Sequence, residues 1–415
     1  MKHFFCTMMA MALYYVPVAA FEGYAEIDGI NYYILTKGSY AEVAFKSSGY
    51  TGDIVIPSQI EYEGVTCTVT AIRNSTFYYE SSLNSVSIPN TVTSIGSSAF
   101  EGSSTLKVVN IPHSVTYIGA KAFYKCEGLE TVKADNIESW CKMEIGQDAS
   151  PLVYARHLFF GNIEVKDLNI PSSVTSICGR AFHGYKGLSS VTFNSSVTSI
   201  GDYAFYGCTE LTTVNMPNSI SEMGDYAFAA CSALTSLNLS ESLTAVSQGC
   251  FYGCSKLSIV SIPNSAISIG NDAFKGCATL KKVYIGNGLT KIGMTAFSNC
   301  SDLTDVYCSA IISPKLDAMY YKDYFLPFYN SHIEYSTLHV LESSINDYQS
   351  NVVWNGFGKI VALTEEDTGI NSTQYPNGIK ELSRYSIHGI PMKNATKGIN
   401  IIKMDNGSTK KVFIR

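Results

Sequence analysis

Apolar residues recur along this chain with a fixed long period. Phe77, Phe100 and Phe123 are 23 residues apart, and so are Phe182, Phe205, Phe228, Phe251, Phe274 and Phe297. Other apolar columns keep the same phase. Six residues after the Phe stands a Leu, from Leu83 to Leu303; nine after it stands a Val or Leu, from Val86 to Val306. Eighteen after it come Ile95, Ile118, Ile200, Met223, Val246, Ile269 and Ile292, usually followed by Gly. The positions between are mostly Ser, Thr and Asn. Phe123 and Phe182 are 59 residues apart, which places Phe159 at the matching point and gives one unit a 13-residue insertion around 135–158. Val165 and Leu168 then resume the columns.

The unit reads AF-x-G-C-x-x-L-x-x-V-x-I-P-x-S-V-T-x-I-G. A segment this short cannot bury its own apolar residues, but stacked copies bury each column against its neighbours in one core. The L-x-x-V-x-I stretch is short, β-branched and alternating, and predicts a strand. Pro89, Pro112, Pro217 and Pro263 close it because Pro lacks a backbone N–H. V-T-x-I predicts a second short extended segment, and G-x-x-A-F turns the chain inward. The expected fold is a mainly β repeat solenoid of short strands and turns, with a cap at each end.

The stretch "SIPNTVTSIGSSAFEGSSTLKVVNIPHSVTYIGAKAF" resembles the BspA-type leucine-rich repeats, a 23-residue subfamily found in surface proteins of anaerobic Gram-negative bacteria and some parasitic protists. The resemblance covers about residues 50 to 310, and the insertion is similar to a variant unit of such arrays. It implies a right-handed coil array and an interaction role: adhesion to host matrix proteins or to other cells.

The flanks predict a secreted protein. Lys2 and His3 precede an apolar run over 4–20 that ends in Val18-Ala19-Ala20, the pattern of a cleaved signal peptide over 1–20. Residues 21–56 predict an N-terminal cap and 57–306 the array. Residues 307–363 predict a C-terminal cap with a short helix from Ile345 and with Trp354 and Phe357 plugging the last coil. The polar, Gly- and Pro-containing stretch 364–380 predicts a linker. Residues 381–415 alternate apolar and polar and predict a small β segment. Ile387-His388-Gly389, Lys397-Gly398-Ile399-Asn400-Ile401-Ile402 and Lys411-Val412-Phe413-Ile414 resemble the C-terminal sorting domain of type IX secretion substrates. His388 and Pro391 depart from its commoner D-x-x-G-R spelling.

Composition narrows the chemistry. Charged residues are only 15% and the net charge is −6, which excludes a nucleic-acid partner because phosphate binding needs clustered Lys and Arg. No apolar run of about 20 residues lies inside the chain, so no membrane span is expected. Six of the twelve cysteines, Cys126, Cys208, Cys231, Cys254, Cys277 and Cys300, sit three after the Phe. They read as a column of buried thiols acting as small hydrophobes, with disulfides between coils as the alternative. No Cys pair has zinc-finger spacing, no catalytic motif is present, and the seven His share no motif. Neither an enzyme, a metal nor a cofactor is expected. His113 and His183 read as solvated surface residues, and the column Tyr78, Tyr124, Tyr206 and Tyr252 as semi-buried packing.

Binding is the stronger reading. Polar residues between the strand's apolar positions should face outward in register. Most are small, but Lys281, Lys282, Tyr284, Asp305 and Tyr307 join charge and aromatic surface, the residue types that anchor interfaces. A second candidate is "DAMYYKDYFLPFYN", where Tyr320, Tyr321, Tyr324, Phe325, Phe328 and Tyr329 either cover the end of the core or anchor a partner. The expected partner is a host extracellular-matrix or cell-surface protein, with glycan capture as the alternative; a hydrolase and a ligand-free structural protein rank below both. The ligand's identity and the oligomeric state are not encoded in any motif.

Overall fold

In the computed structural model, residues 21–317 and 326–364 are described in full, together with the backbone of four strands beyond them. The expected leader, residues 365–380 of the expected 364–380 linker, and Tyr320, Tyr321, Tyr324 and Phe325 lie outside the described residues. The chain divides into two compact units, Met1–Val165 and Lys166–Arg415.

Each unit is built from coils that stack by parallel pairing, a mainly β solenoid architecture. The L-x-x-V-x-I segment forms the first ladder, in three sheets within which the Val-column residue pairs with that of the next coil. Val86 stands opposite Val109 and Val109 opposite Val132 in the first unit; in the second, Leu168, Val191, Val214 and Leu237 run in register. The V-T-x-I segment forms the second ladder, as Ile95 with Ile118 and Ile269 with Ile292. Alternation puts the apolar residue of each pair inside: the strand Lys282–Ile285 buries Val283 and Ile285 and leaves Lys282 and Tyr284 half-buried.

A third ladder runs through the turns. The amide of Phe182 donates to the carbonyl of Ala204, Phe205 to Ala227, and Phe251 to Ala273, each at 2.8 Å. The Phe rings follow the same stacking. Phe100 lies 4.9 Å from both Phe77 and Phe123, and Phe182 to Phe297 stack at 5.0 to 5.8 Å with near-parallel planes. Two turn positions per coil are left-handed. Two residues before the Phe, φ is 55° at Ser98, 63° at Arg180 and 56° at Tyr203; two after it, Gly207 and Gly253 stand at 71°. The Gly of F-x-G-C is therefore the residue that adopts this conformation without a Cβ penalty. The Gly after the inner Ile serves another need. A Cβ on Gly270 would stand 2.6 Å from the Gln248 amide nitrogen, so the coils could not close to their spacing.

The insertion does not follow the expected phase. Leu158 takes the Val column opposite Val132, and Phe159, paired with Lys133, lies on the first-ladder strand rather than in the Phe column. Five residues after the inner Ile, where Phe123 follows Ile118, Ser150 follows Ile145 and is buried. The 36 residues from Val132 to Leu168 divide into a 26-residue coil ending at Leu158 and a 10-residue step. The coil holds the helix Ile137–Lys142, whose Asn136 cap accepts from the Ser139 amide at 2.9 Å. The step contains an antiparallel hairpin between His157–Phe160 and Ile163–Glu164.

Coil building also continues past Val306. Thr337–Val340 and Lys359–Ala362 extend the first ladder in parallel register from Asp305–Cys308. Phe328 extends the ring stack, 5.4 Å from Phe297, and Trp354 and Phe357 close it edge-on at 5.4 and 5.2 Å. A helix forms over Ile345–Ser350. Beyond it, Glu381–Ser386, Pro391–Met392, Gly398–Met404 and Thr409–Ile414 form a separate four-stranded antiparallel sheet.

Candidate functional site

The outward positions of the first ladder in the second unit form two rows. Tyr284 pairs with Tyr307 and Tyr307 with His339, each two residues from the row Lys282, Asp305 and Thr337. Parallel in-register pairing sets residues of one column about 4.8 Å apart, close to the spacing of stacked rings. The Tyr284 and Tyr307 rings lie 4.6 Å apart and 8° from parallel, and His339 lies 4.3 Å from Tyr307. Asp305 sets the far end: its carboxylate meets His339 Nε2 at 3.1 Å and accepts from the Thr304 hydroxyl at 2.9 Å. Tyr307, covered on both sides, keeps 8% exposure, whereas Lys281 is exposed at the approach to its strand.

The structure thus brings Lys282, Tyr284, Asp305 and Tyr307 onto one sheet face, with Lys281 beside them. His339 completes the stack and was missed, because it lies outside the 23-residue phase. Lys359, paired with Thr337, adds a cation to the same row. Of the aromatic run, Phe328 belongs to the core and Tyr329 is exposed.

Two surface expectations need correction. Of the Tyr column, Tyr124 and Tyr206 are half-buried as expected, but Tyr78 and Tyr252 are exposed, and Lys275 lies 5.9 Å above the Tyr252 ring. His183 is packed against Tyr206 at 5.1 Å rather than solvated, in a turn-side cluster where Arg180 lies 5.2 Å above Tyr203 and Tyr203 stacks on Tyr226. The left-handed turn column carries this cluster, which the strand-based reading overlooked.

The six column cysteines are free and buried. Each thiol donates to the Phe carbonyl of the preceding coil, as Cys126 to Phe100 at 3.0 Å and Cys208 to Phe182 at 3.3 Å. Ser103 and Ser331 make the same bond to Phe77 and Phe297. Burial pushes the thiols of Cys126, Cys231 and Cys277 up to about 12, so they are unreactive at neutral pH. Among the described residues no group of three or more His, Cys, Asp or Glu is placed to hold a metal, and no helix is long and apolar enough to cross a membrane.

Parallel ladders, a turn ladder and in-register apolar columns within each unit define leucine-rich-repeat solenoid architecture. The BspA type Leucine rich repeat region matches residues 68–143, 155–278 and 244–321 in six copies, more than half of the chain, and the chain belongs to that family. The fold is similar to a leucine rich cell surface protein from Faecalibacterium prausnitzii A2-165, with 25% identity, 71% of this chain and 95% of that one covered, and a TM-score of 0.36. It is similar to a leucine-rich repeat protein from Eubacterium ventriosum ATCC 27560, with 18% identity, 86% and 97% covered, and a TM-score of 0.42. The pneumococcal vaccine antigen PcpA matches at 16% identity, 82% and 98% covered, and a TM-score of 0.38. No curated protein matches the chain.

Proposed function

We propose that this chain is a secreted or cell-surface binding protein, an adhesin that engages a host extracellular-matrix or cell-surface protein and performs no chemistry. Membership of a repeat family of the interaction type supports the binding role. The observation that carries the reading is the stack Tyr284–Tyr307–His339 beside Lys282 and Asp305. Its rings are already ordered by one another, so binding immobilises few rotamers, and aromatic surface next to charge is the composition of interface anchors. Export rests on the apolar run over 4–20, and display through a type IX route rests on the 381–415 motifs.

Immobilised matrix proteins titrated with the purified chain provide the test. Saturable binding is expected, weakened about tenfold or more by Tyr284→Ala with Lys282→Ala. Binding that survives this pair unchanged removes the site assignment, and no binding to any matrix or cell-surface protein removes the adhesin reading. Export is read separately, by whether residues 1–20 are absent from the N-terminus of the secreted protein.

A further inference from the structure

The first unit carries a different surface. Its second-ladder sheet places one row of outward residues across seven strands: Tyr24, Tyr33, Glu42, Ala71, Ser94, Tyr117 and Glu144 stand in successive register. The row is low at Ala71 and Ser94, between its Tyr residues on either side. Tyr24 is 60% exposed and Tyr117 43%, while Ala71, Ser94 and Gly96 form the floor between. The result is an open cleft of about 730 Å³, with exposed Phe45 on its rim. Three strand steps, about 14 Å, separate Glu42 from Tyr117.

The lining selects the ligand class. The two charged residues in it, Glu42 and Arg73, pair at 2.6 Å, and the Arg73 guanidinium lies 4.3 Å above the Tyr33 ring. The cleft therefore offers no uncompensated charge to an ionic ligand. Asn31, Ser47, Asn74 and Ser94 line it as well, so it lacks the mainly apolar wall that an apolar ligand needs. Its floor is a sheet face whose backbone groups are paired within the sheet, which removes the edge that an extended peptide would join. Flat exposed rings, planar amides and a neutral carboxylate–guanidinium pair together suit a chain that alternates apolar C–H faces with hydroxyls.

We propose that this cleft binds a neutral oligosaccharide, spanning the floor from the Tyr24 and Phe45 side to Tyr117. Sugar rings stack on the Tyr faces, and hydroxyls meet Glu42, Arg73 and Asn74. Five strand steps, about 24 Å, separate Tyr24 from Tyr117, so the site takes several linked sugars and affinity rises with chain length. This site is separate from the protein-binding face proposed above.

The test is calorimetry of the whole chain with neutral tetra- to hexasaccharides of glucose, mannose, xylose and N-acetylglucosamine, alongside their monosaccharides and a sulfated oligosaccharide. At least one neutral series is expected to bind, about tenfold or more tighter as the hexasaccharide than as the monosaccharide. Tyr24→Ala with Tyr117→Ala should abolish that binding while the melting temperature stays put, since both rings are exposed. Tyr284→Ala should leave it unchanged. No binding by any neutral series, preference for the sulfated chain, or undiminished binding by the double Tyr variant overturns the proposal.

Discussion

The Cys of each coil acts through its hydrogen bond as much as through its size. Ser103 and Ser331 fill the same place, so Cys231→Ser should hold the fold at pH 7 within about 1 kcal/mol. Cys231→Ala leaves the Phe205 carbonyl without the thiol's bond and should lose about 1 to 3 kcal/mol more, read by urea denaturation. The thiols also set an alkaline limit. Their folded-state pKa lies above the unfolded value near 9, so the stability they contribute is complete below about pH 9 and is lost as pH rises through about 12. Melting temperatures should be level up to pH 9 and fall above it, less steeply in Cys231→Ser. Backbone closeness gives a second residue-scale expectation. Gly270→Ala forces its Cβ against the Gln248 backbone and should destabilise by about 1 to 3 kcal/mol.

At the scale of elements, the ends of the ring stacks are closed by unlike side chains. Tyr50 begins the first, 4.7 Å from Phe77, with its hydroxyl donating to Ala44 at 2.6 Å. Trp354 ends the second, fully buried, with Nε1 donating to the Pro314 carbonyl at 2.9 Å. Terminal repeats cannot share the interior's pattern, because one face lacks a neighbouring coil and must be covered. Trp354→Ala should cost about 3 to 5 kcal/mol and speed amide exchange first in Thr337–Val340 and Lys359–Ala362, the strands beneath it. Equal acceleration along the whole chain would show that Trp354 is no local cap.

For the molecule as a whole, stability is the sum of coil–coil contacts rather than of one closed core. The Lys166–Arg415 unit contains its own ring stack, from Phe182 to Phe328, and its own closing Trp. Residues 166–364 made alone should therefore fold, giving a β-type circular dichroism spectrum and a cooperative melt. Failure to melt cooperatively would show that this unit depends on the first.

The periodic columns were legible because every interior coil repeats one burial problem, and the same residue types solve it each time. Phe, Leu, Val and Ile in phase fix the ladders, Gly marks the left-handed turn and the close backbone approach, and the Cys column marks the thiol bond. Where the coil changes length, phase alone misled. Phe159 fits the spacing of the Phe column, yet it lies on the first-ladder strand beside Leu158, because a 26-residue coil and a hairpin step absorb the extra residues. Sites resisted sequence reading for the same reason. Tyr284, Tyr307, Asp305 and the two Lys share the period and were found together, whereas His339 and the row from Tyr24 to Tyr117 join residues from coils and cap strands of unequal length. The sequence by itself determined the repeat, its strands, and which side of each strand meets the core, since those follow from local periodicity. Only the tertiary structure decided which rings stack and where a low floor lies between two aromatic walls, since both depend on the register between segments that share no period.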